Sequence, residues 1–222
     1  METEFIYCRH HTPIGVKVEE ISGGEDRSGA VWRALAMQVW KENGRDGAYR
    51  DIEHLECGAP LLWGEHSRIS LSHTEGLLVV ATLPPTPEAP LDAFAERTAL
   101  GVDVERADRA QVLKVRERFL SASELETVPD TDTEANMVAW TCKEALYKAA
   151  LTPGLDWRDQ IRLLRLPIPG GPDGQAEVIL PQGPVPFILH SWRSGEHVVT
   201  LAITPHTATY KKRKPAPGTA SQ

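Results

Sequence analysis

The sequence predicts an α+β protein in which small antiparallel sheets pack against helices. Three observations lead to this fold class. Apolar residues recur at helical spacing in residues 26–40, 108–119 and 133–151. Strand–turn–strand patterns occur at residues 68–83 and again at residues 187–203. Several prolines between residues 84 and 90 separate these regions and predict a stiff linker.

The N-terminal half reads as a strand hairpin, a helix and a second hairpin. The first 20 residues alternate loosely between polar and apolar, which predicts the first hairpin. Asp26 or Ser28 is expected to cap a helix that reaches Trp40. Residues 44–60 read as turns and short strands. Residues 77–81 are all apolar, which predicts a central strand buried on both faces.

The C-terminal half begins with a short strand at residues 100–105. Asp108 is expected to cap a helix that runs to Phe119. Ser121 and Glu124 have the spacing of a capping box, so a second short helix begins there. A longer helix is predicted from Thr133 to about residue 151, stopped by Pro-Gly, with strands and turns beyond it.

We expect two domains and a tail. Residues 1–98 form the N-terminal α+β half, residues 99–208 form the C-terminal half, and residues 209–222 are a disordered basic tail. The hairpins at residues 68–83 and 187–203 resemble each other. A duplicated unit and a chance likeness of two hairpins both explain this echo.

Composition excludes several classes of function. The 222-residue chain carries a net charge of −7, which disfavours general nucleic-acid binding. Cys8, Cys57 and Cys142 are scattered and fit neither a disulfide framework nor a zinc site. No signal peptide and no long apolar span is visible, so we expect a cytoplasmic protein without a membrane segment.

Two pairs of charged residues carry the candidate chemistry. Asp103 and Glu105 alternate on a strand, so both carboxylates lie on one face and repel each other unless a cation compensates them. A hard divalent ion such as magnesium would do so, although such a pair on an edge strand is usually a solvated face. Glu144 and Lys148 share a helix face at i, i+4, which is also the spacing of an ordinary helix ion pair.

A family resemblance joins these pairs. Residues 100–105 (Leu-Gly-Val-Asp-Val-Glu) and 140–148 (Trp-Thr-Cys-Lys-Glu-Ala-Leu-Tyr-Lys) together resemble the signature of 4′-phosphopantetheinyl transferases, with Asp103 and Glu144 41 positions apart. The segment Arg-Phe-Leu-Ser at 118–121, Ser-His at 72–73 and Gly-Ala-Pro at 58–60 resemble further motifs of that family.

The resemblance extends from about residue 27 to residue 203. The chain is longer than the small trimeric holo-ACP synthases and is similar to the pseudo-duplicated type related to the surfactin-synthetase activator. The resemblance therefore implies two similar α+β halves in a pseudo-twofold arrangement, each a small, mainly antiparallel sheet with a long helix. It also implies a monomer.

The resemblance implies an enzyme that moves phosphopantetheine from coenzyme A to a serine of an apo acyl or peptidyl carrier protein, releasing 3′,5′-adenosine bisphosphate. Asp103, Glu105 and Glu144 would hold Mg²⁺. Glu144 would act as general base, with Asp103 as its competitor. Lys148 would contact the pyrophosphate and stabilise the leaving group.

The same resemblance assigns residues to the substrates. Ser72 and His73 would hold the 3′-phosphate of coenzyme A, with Arg27 and Arg33 near the start of the first helix as further basic residues for it. Ala59 departs from the family pattern, because a cation is usual at that position. On the helix after Glu105, three basic residues would bind the acidic carrier protein: Lys114, Arg116 and Arg118.

Two other classes of function remain open at this point. One is a different magnesium-dependent phosphoryl-transfer enzyme, although no Walker-type phosphate loop occurs in the sequence. The other is a non-catalytic coenzyme A-binding module. The sequence does not distinguish fatty-acid, polyketide and nonribosomal-peptide carrier proteins as partners.

Overall fold

The computed structural model describes residues 6–11, 17–22, 52–54, 60–62, 67–82 and 99–204. Within these segments the chain forms eleven strands and three helices, which confirms the α+β class. The strands are β1 Ile6–His11, β2 Lys17–Ser22, β3 Ile52–His54, β4 Pro60–Leu62, β5 Ser67–Thr74, β6 Leu77–Thr82, β7 Leu100–Arg106, β8 Ile161–Arg165, β9 Gly174–Leu180, β10 Gly183–Ser194 and β11 His197–Ile203. The helices are α1 Gln111–Phe119, α2 Ala122–Thr127 and α3 Thr133–Ala150.

The described strands form two antiparallel sheets. One has the order β1-β2-β6-β5-β4-β3, and the other has the order β7-β11-β10-β9-β8. The predicted hairpin of the N-terminal half is present as β5 and β6. Strand β6 lies between β2 and β5 and is buried at every position, as its unbroken apolar run predicts.

The two sheets share one topology. The series β2 to β6 and the series β7 to β11 both have the spatial order first, fifth, fourth, third, second. Strand β1 is an addition outside β2. Helices α1 to α3 follow the first strand of the second series and precede its second strand.

The second sheet is covered on both faces, as its alternating side chains require. Val198 and Ala202 of β11 pack with Leu146 and other residues of α3. Val199 and Leu201, which point the other way, pack with side chains of β2, β6 and β7. Helix α3 therefore covers one face of this sheet, and the first sheet lies against the other.

Two of the three described helices begin after a polar residue whose side chain caps the first turn. Ser121 accepts a hydrogen bond from the Glu124 backbone, and the Glu124 side chain accepts one from Ser121 N, so the predicted capping box is present. Asp132 caps α3 through Ala135 N at 3.0 Å, which starts the helix at Thr133 as predicted.

The predicted cap at Asp108 is wrong. Helix α1 begins only at Gln111, and its N-cap Ala110 makes no side-chain hydrogen bond. The Asp108 carboxylate is engaged by the Arg106 guanidinium, at 3.0 and 2.8 Å, because two residues of spacing allow a bidentate pair. A carboxylate held in this way is not available to the first turn of a helix.

Several predicted features lie outside the described residues. They are the first helix at residues 26–40 with Arg27 and Arg33, Ala59, the linker near residue 84, and the basic tail at residues 209–222. The domain boundary near residue 98 stays a prediction. Among the described helices, none has both the length and the apolar character needed to cross a bilayer.

Candidate active site

The site begins with a close contact between strand β7 and helix α3. A Cβ added at Gly101 would lie 1.9 Å from the Ala145 carbonyl oxygen and 2.7 Å from the Ala149 backbone nitrogen. Only glycine on the strand permits this approach, and two alanines one turn apart keep the helix surface flat. The contact brings the C-terminal half of α3 onto β7.

Alternation along β7 determines which side chains meet the helix. Val102 and Val104 point toward the first sheet and are buried in the core between the sheets. Residues 101, 103 and 105 therefore share the opposite face, the one covered by α3. The predicted placement of Asp103 and Glu105 on one face, with the valines in the core, agrees with this arrangement.

Asp103 is buried and held through one of its two oxygens. Its Oδ1 accepts hydrogen bonds from Lys148 Nζ and Ser72 Oγ, both at 2.7 Å. Its Oδ2 is buried without a hydrogen-bond partner among the described residues. A buried carboxylate oxygen with no partner is costly, so a cation or donor from a ligand would be favourable at this atom.

Glu105 lies nearer the surface and is engaged on both sides. Arg109 donates to its Oε2 at 2.8 Å, and the Thr74 hydroxyl donates to the same oxygen at 3.4 Å. Burial raises the pKa of Glu105, and the neighbouring Asp103 raises it further, while Arg109 acts in the opposite direction. Charge repulsion between Asp103 and Glu105 is therefore a property of the folded site.

Glu144 approaches the same charges from helix α3. Burial raises its pKa to about 7, and the carboxylates of Asp103 and Glu105 contribute to this shift. Lys148 lowers the pKa, but by less than burial raises it. The three predicted metal ligands are thus brought close enough to interact electrostatically, two from β7 and one from α3.

Lys148 forms its ion pair with Asp103 of β7 and not with Glu144, one turn away on α3. Its Nζ contacts Asp103 Oδ1 at 2.7 Å and the Val102 carbonyl oxygen at 3.1 Å. The i, i+4 spacing of Glu144 and Lys148 therefore does not produce the simple helix ion pair that the sequence left open. Instead, the lysine links α3 to β7 at the centre of the acidic group.

The carboxylates fit a hard divalent cation in charge and in donor type. They are all oxygen donors, they repel one another, and Asp103 Oδ2 lacks a partner in the described part of the chain. Within those same segments, no three His, Cys, Asp or Glu side chains meet in a ready metal-binding cluster. Lys148 and Arg109 neutralise two of the carboxylates in this structure.

Lys143, next to Glu144 in the sequence, has a structural position. It is fully buried, and its Nζ donates to both carboxylate oxygens of Glu124 at 2.8 Å. It also donates to the carbonyl oxygens of Trp157 and Ile161. Glu124 in turn accepts from Leu163 N at 2.7 Å. The pair joins α3 to α2 and to the start of β8.

Sequence reasoning recognised Glu124 as a capping residue but missed this second role. The available signal was a lysine on a helix otherwise rich in buried residues, which requires a buried acidic partner. Trp140 also attaches α3 to neighbouring parts of the fold. Its ring meets Phe119 edge-on at 5.1 Å and contacts Trp157 at 5.3 Å between ring centres. Trp140 and Lys143 therefore hold α3 in place.

Strand β5 supplies hydroxyl groups that sequence reasoning assigned only in part. Ser72 is buried, and its hydroxyl contacts Asp103, whereas His73 is exposed on the adjacent position of the strand. Ser70 and Thr74 were missed, although serine and threonine at i, i+2 and i+4 on one strand mark a common polar face.

The three predicted carrier-binding residues on α1 differ in exposure. Lys114 and Arg118 are exposed. Arg116 is partly buried, and its guanidinium donates to Asn136 Oδ1 at 3.0 Å and to the Val128 carbonyl oxygen. Arg116 thus holds the three helices together, and Lys114 and Arg118 are the exposed cations of the set.

Comparison with known proteins supports the reading of this half of the chain. Residues 99–202 match the model of a family described as the 4′-phosphopantetheinyl transferase superfamily. The matched segment is slightly less than half of the 222 residues and contains β7, α3 and the acidic group. A search of curated proteins gave no match.

Proposed function

We propose that the protein transfers the 4′-phosphopantetheine arm of coenzyme A to a serine of an apo carrier protein, with Mg²⁺ as cofactor. One observation carries the proposal. Asp103 and Glu105 on β7 converge with Glu144 and Lys148 on α3 inside the segment that matches the transferase superfamily. This combination of carboxylates and one lysine suits the binding of a diphosphate and a divalent cation.

In charge and donor type, Asp103, Glu105 and Glu144 fit a magnesium site, and their side chains would have to close on the ion as it binds. The ion would neutralise charge on the diphosphate and polarise the phosphoryl oxygens. Hydrogen bonds to Asp103 and to the Val102 carbonyl hold Lys148 beside the proposed metal ligands. From there its ammonium group can stabilise the negative charge that develops on the departing phosphate.

Glu144 is the better candidate for general base toward the serine hydroxyl. In the metal-free protein, burial and its acidic neighbours raise the pKa of Glu144 to about 7, and a bound cation would lower it again. Asp103, the competitor, has Oδ1 engaged by Lys148 and Ser72. Its role is therefore better explained as holding the lysine and a metal.

Coenzyme A would extend from this group toward β5. His73 is exposed on β5 between Ser72 and Thr74, whose side chains contact Asp103 and Glu105, and the alternation of the strand turns its own side chain to the other face. We assign the nucleotide phosphates to His73, with Arg27 and Arg33 as further candidates. The Ser72 hydroxyl donates to Asp103, which disfavours a direct contact of this hydroxyl with a phosphate.

We further propose that the chain is a pseudo-duplicated member of the superfamily and acts as a monomer. The shared strand order of the two sheets supports this. The contacts between the sheets support it too. Strand β5 reaches β7 through Ser72 and Thr74, and β10 reaches Glu20 of β2 through Trp192 and Ser194. Strand β5 thus contacts the first strand of the series β7 to β11, and β10 contacts the first strand of the series β2 to β6.

Lys114 and Arg118 are the proposed docking residues for the carrier protein. Both are exposed on α1, the helix that follows the site after β7. Carrier proteins are acidic around their serine, so local cations would attract them despite the overall charge of −7. A cytoplasmic location stays a prediction from the sequence.

Mass spectrometry of carrier proteins tests the proposal. The protein is incubated with Mg²⁺, coenzyme A and each of several apo carriers from fatty-acid, polyketide and nonribosomal-peptide systems. We expect at least one carrier to gain the mass of one phosphopantetheine arm, and Glu144→Gln to give none while staying folded. Hydrolysed coenzyme A with unmodified carriers would indicate another phosphoryl-transfer enzyme. Coenzyme A binding without any product would indicate a binding module.

A further inference from the structure

Three hydroxyl side chains of β5 form a ladder along the edge of β7. Ser70, Ser72 and Thr74 alternate on one face of β5, and all three are buried. Ser70 contacts Val102, Ser72 contacts residues 103 and 104, and Thr74 contacts residue 105. The partners advance together along both strands, so β5 and β7 run side by side in the same direction.

Two hydroxyl groups of the ladder accept hydrogen bonds from the backbone of β7. β7 is at the end of its sheet's order, with β11 on one side only. The backbone N–H groups of Val102 and Val104 donate to Ser70 Oγ at 2.9 Å and to Ser72 Oγ at 3.3 Å. These bonds satisfy edge donors that would otherwise be buried without partners.

Ser72 differs from Ser70 in one contact. Both hydroxyl oxygens accept a hydrogen bond from the β7 backbone, but Ser72 also donates to Asp103 Oδ1 at 2.7 Å. A serine hydroxyl has one proton to donate. Because that proton is directed at Asp103, the hydroxyl cannot donate to a phosphate at the same time.

We propose that Ser72, assisted by Thr74, positions the carboxylates of Asp103 and Glu105 for the divalent cation. This inference rests on the proposed function. Ser72 and Lys148 both bind Oδ1 of Asp103, which leaves Oδ2 as the oxygen without a partner in the described part of the chain. The hydroxyl therefore determines which oxygen of the aspartate is presented to the metal.

Thr74 acts on the second carboxylate in the same way, but more weakly. Its hydroxyl donates to Glu105 Oε2 at 3.4 Å, and Arg109 donates to the same oxygen at 2.8 Å from the exposed side. The threonine and the arginine thus fix the same oxygen of Glu105 from two different elements of the fold. Residues that orient metal ligands by hydrogen bonds typically change metal affinity about 10–100-fold when they are removed.

The test compares Ser72→Ala with Ser70→Ala as a matched control. Each variant loses one buried hydroxyl that caps a backbone N–H of β7, and only Ser72→Ala loses a contact to a carboxylate. Mn²⁺ binding is measured by electron paramagnetic resonance without coenzyme A, and coenzyme A binding is measured by calorimetry without metal. Thermal unfolding verifies that each variant is folded.

We expect Ser72→Ala to weaken Mn²⁺ binding by about tenfold or more, and Ser70→Ala to leave it within about twofold. Thr74→Val should give a smaller loss than Ser72→Ala. Metal-free coenzyme A binding should be the same in Ser72→Ala and the wild type.

Equal losses of Mn²⁺ affinity in Ser70→Ala and Ser72→Ala would overturn the inference, because the ladder would then act only on the backbone. Weaker metal-free coenzyme A binding in Ser72→Ala with unchanged Mn²⁺ affinity would overturn it in favour of a phosphate contact. In both cases a wild-type protein that binds Mn²⁺ leaves the proposed function standing. A wild-type protein that binds no Mn²⁺ either with or without coenzyme A would overturn both.

Discussion

Gly101 of strand β7 packs directly against the backbone carbonyl of Ala145 on helix α3, with no room for a side chain between them. A Cβ at position 101 would be 1.9 Å from that oxygen. The acidic group depends on this contact, because Glu144 and Lys148 are on the same segment of the helix as Ala145. The glycine of the Gly-Val-Asp motif is thus explained by packing.

Gly101→Ala should therefore damage stability and activity together. The new methyl group meets backbone atoms, which cannot rotate away, so the helix must shift. We expect a loss of unfolding free energy in the upper part of the roughly 1–3 kcal/mol range typical of overpacked cores. Urea denaturation measures this loss, and the carrier assay measures the loss of transfer.

Gly195→Ala is the control for Gly101→Ala. Gly195 is in the β10–β11 turn with a positive φ of 57°, and a Cβ added there would meet nothing within 4 Å beyond its chain neighbours. It is expected to lose some stability through backbone strain but to keep its rate of transfer once folded. A stable Gly101→Ala protein with full activity would show that the close approach is unnecessary.

The raised pKa of Glu144 predicts how stability depends on pH in the metal-free protein. Its ordinary value is 4.5 and its folded value is about 7, so the folded state binds the proton more tightly than the unfolded state. The stabilisation from Glu144 is complete below pH 4.5 and is lost as the pH rises through about 7. Glu144→Gln removes this contribution.

Denaturation in urea at pH 5 and pH 8 with a chelator provides the measurement. The wild type should lose more unfolding free energy between these pH values than Glu144→Gln, and saturating Mg²⁺ should reduce the difference at pH 8. An identical change in both proteins would mean that Glu144 is not perturbed by burial and by its acidic neighbours.

Breaking the buried Lys143–Glu124 pair should be strongly destabilising. Burial lowers the pKa of Lys143, and Glu124 offsets this, so the charge depends on its partner. Lys143→Met leaves the carboxylate of Glu124 buried without its cation. The expected loss is about 3–5 kcal/mol by analogy with other broken buried pairs.

The exposed pair Arg162–Glu177, at 3.3 Å, provides the comparison for Lys143. Arg162→Ala should cost no more than about 1 kcal/mol, since solvent screens that interaction. If both substitutions cost the same in urea denaturation, the buried pair would not hold α3 in place as we describe.

Charge reversal on α1 should weaken carrier binding without affecting coenzyme A. Lys114→Glu combined with Arg118→Glu places two negative charges where an acidic carrier would approach. We expect the KM for the carrier to rise several-fold, with a reduced dependence on salt, and the KM for coenzyme A to stay unchanged. An unchanged KM for the carrier would place the docking surface elsewhere.

Arg116→Ala, in contrast, should lower stability, because Arg116 contacts Asn136 and Val128.

Local patterns were sufficient to predict many elements of the fold. The alternation of 102–105 placed the valines in the core, and the capping-box spacing at Ser121 predicted the start of a helix, because these effects depend on neighbours in sequence. Asp108 was mispredicted as a cap because a nearby arginine competed for its carboxylate. Neighbour patterns do not show which of two local partners is preferred.

The site was predictable only through its motif residues. Asp103, Glu105, Glu144 and Lys148 could be proposed from sequence, but the lysine's choice of Asp103 over Glu144 depends on the approach of α3 to β7. The contacts of Ser70 and Thr74 join segments more than 30 residues apart. No local pattern encodes such a pairing, so a structure was needed to find it.

Anomalous diffraction from a crystal grown with Mn²⁺ and coenzyme A would show whether the three carboxylates share one ion. We predict one strong manganese peak in coordination with oxygens of Asp103, Glu105 and Glu144 and of the diphosphate, with Lys148 beside the diphosphate. A peak bound by other side chains, or three carboxylates that do not share the ion, would contradict the proposed site.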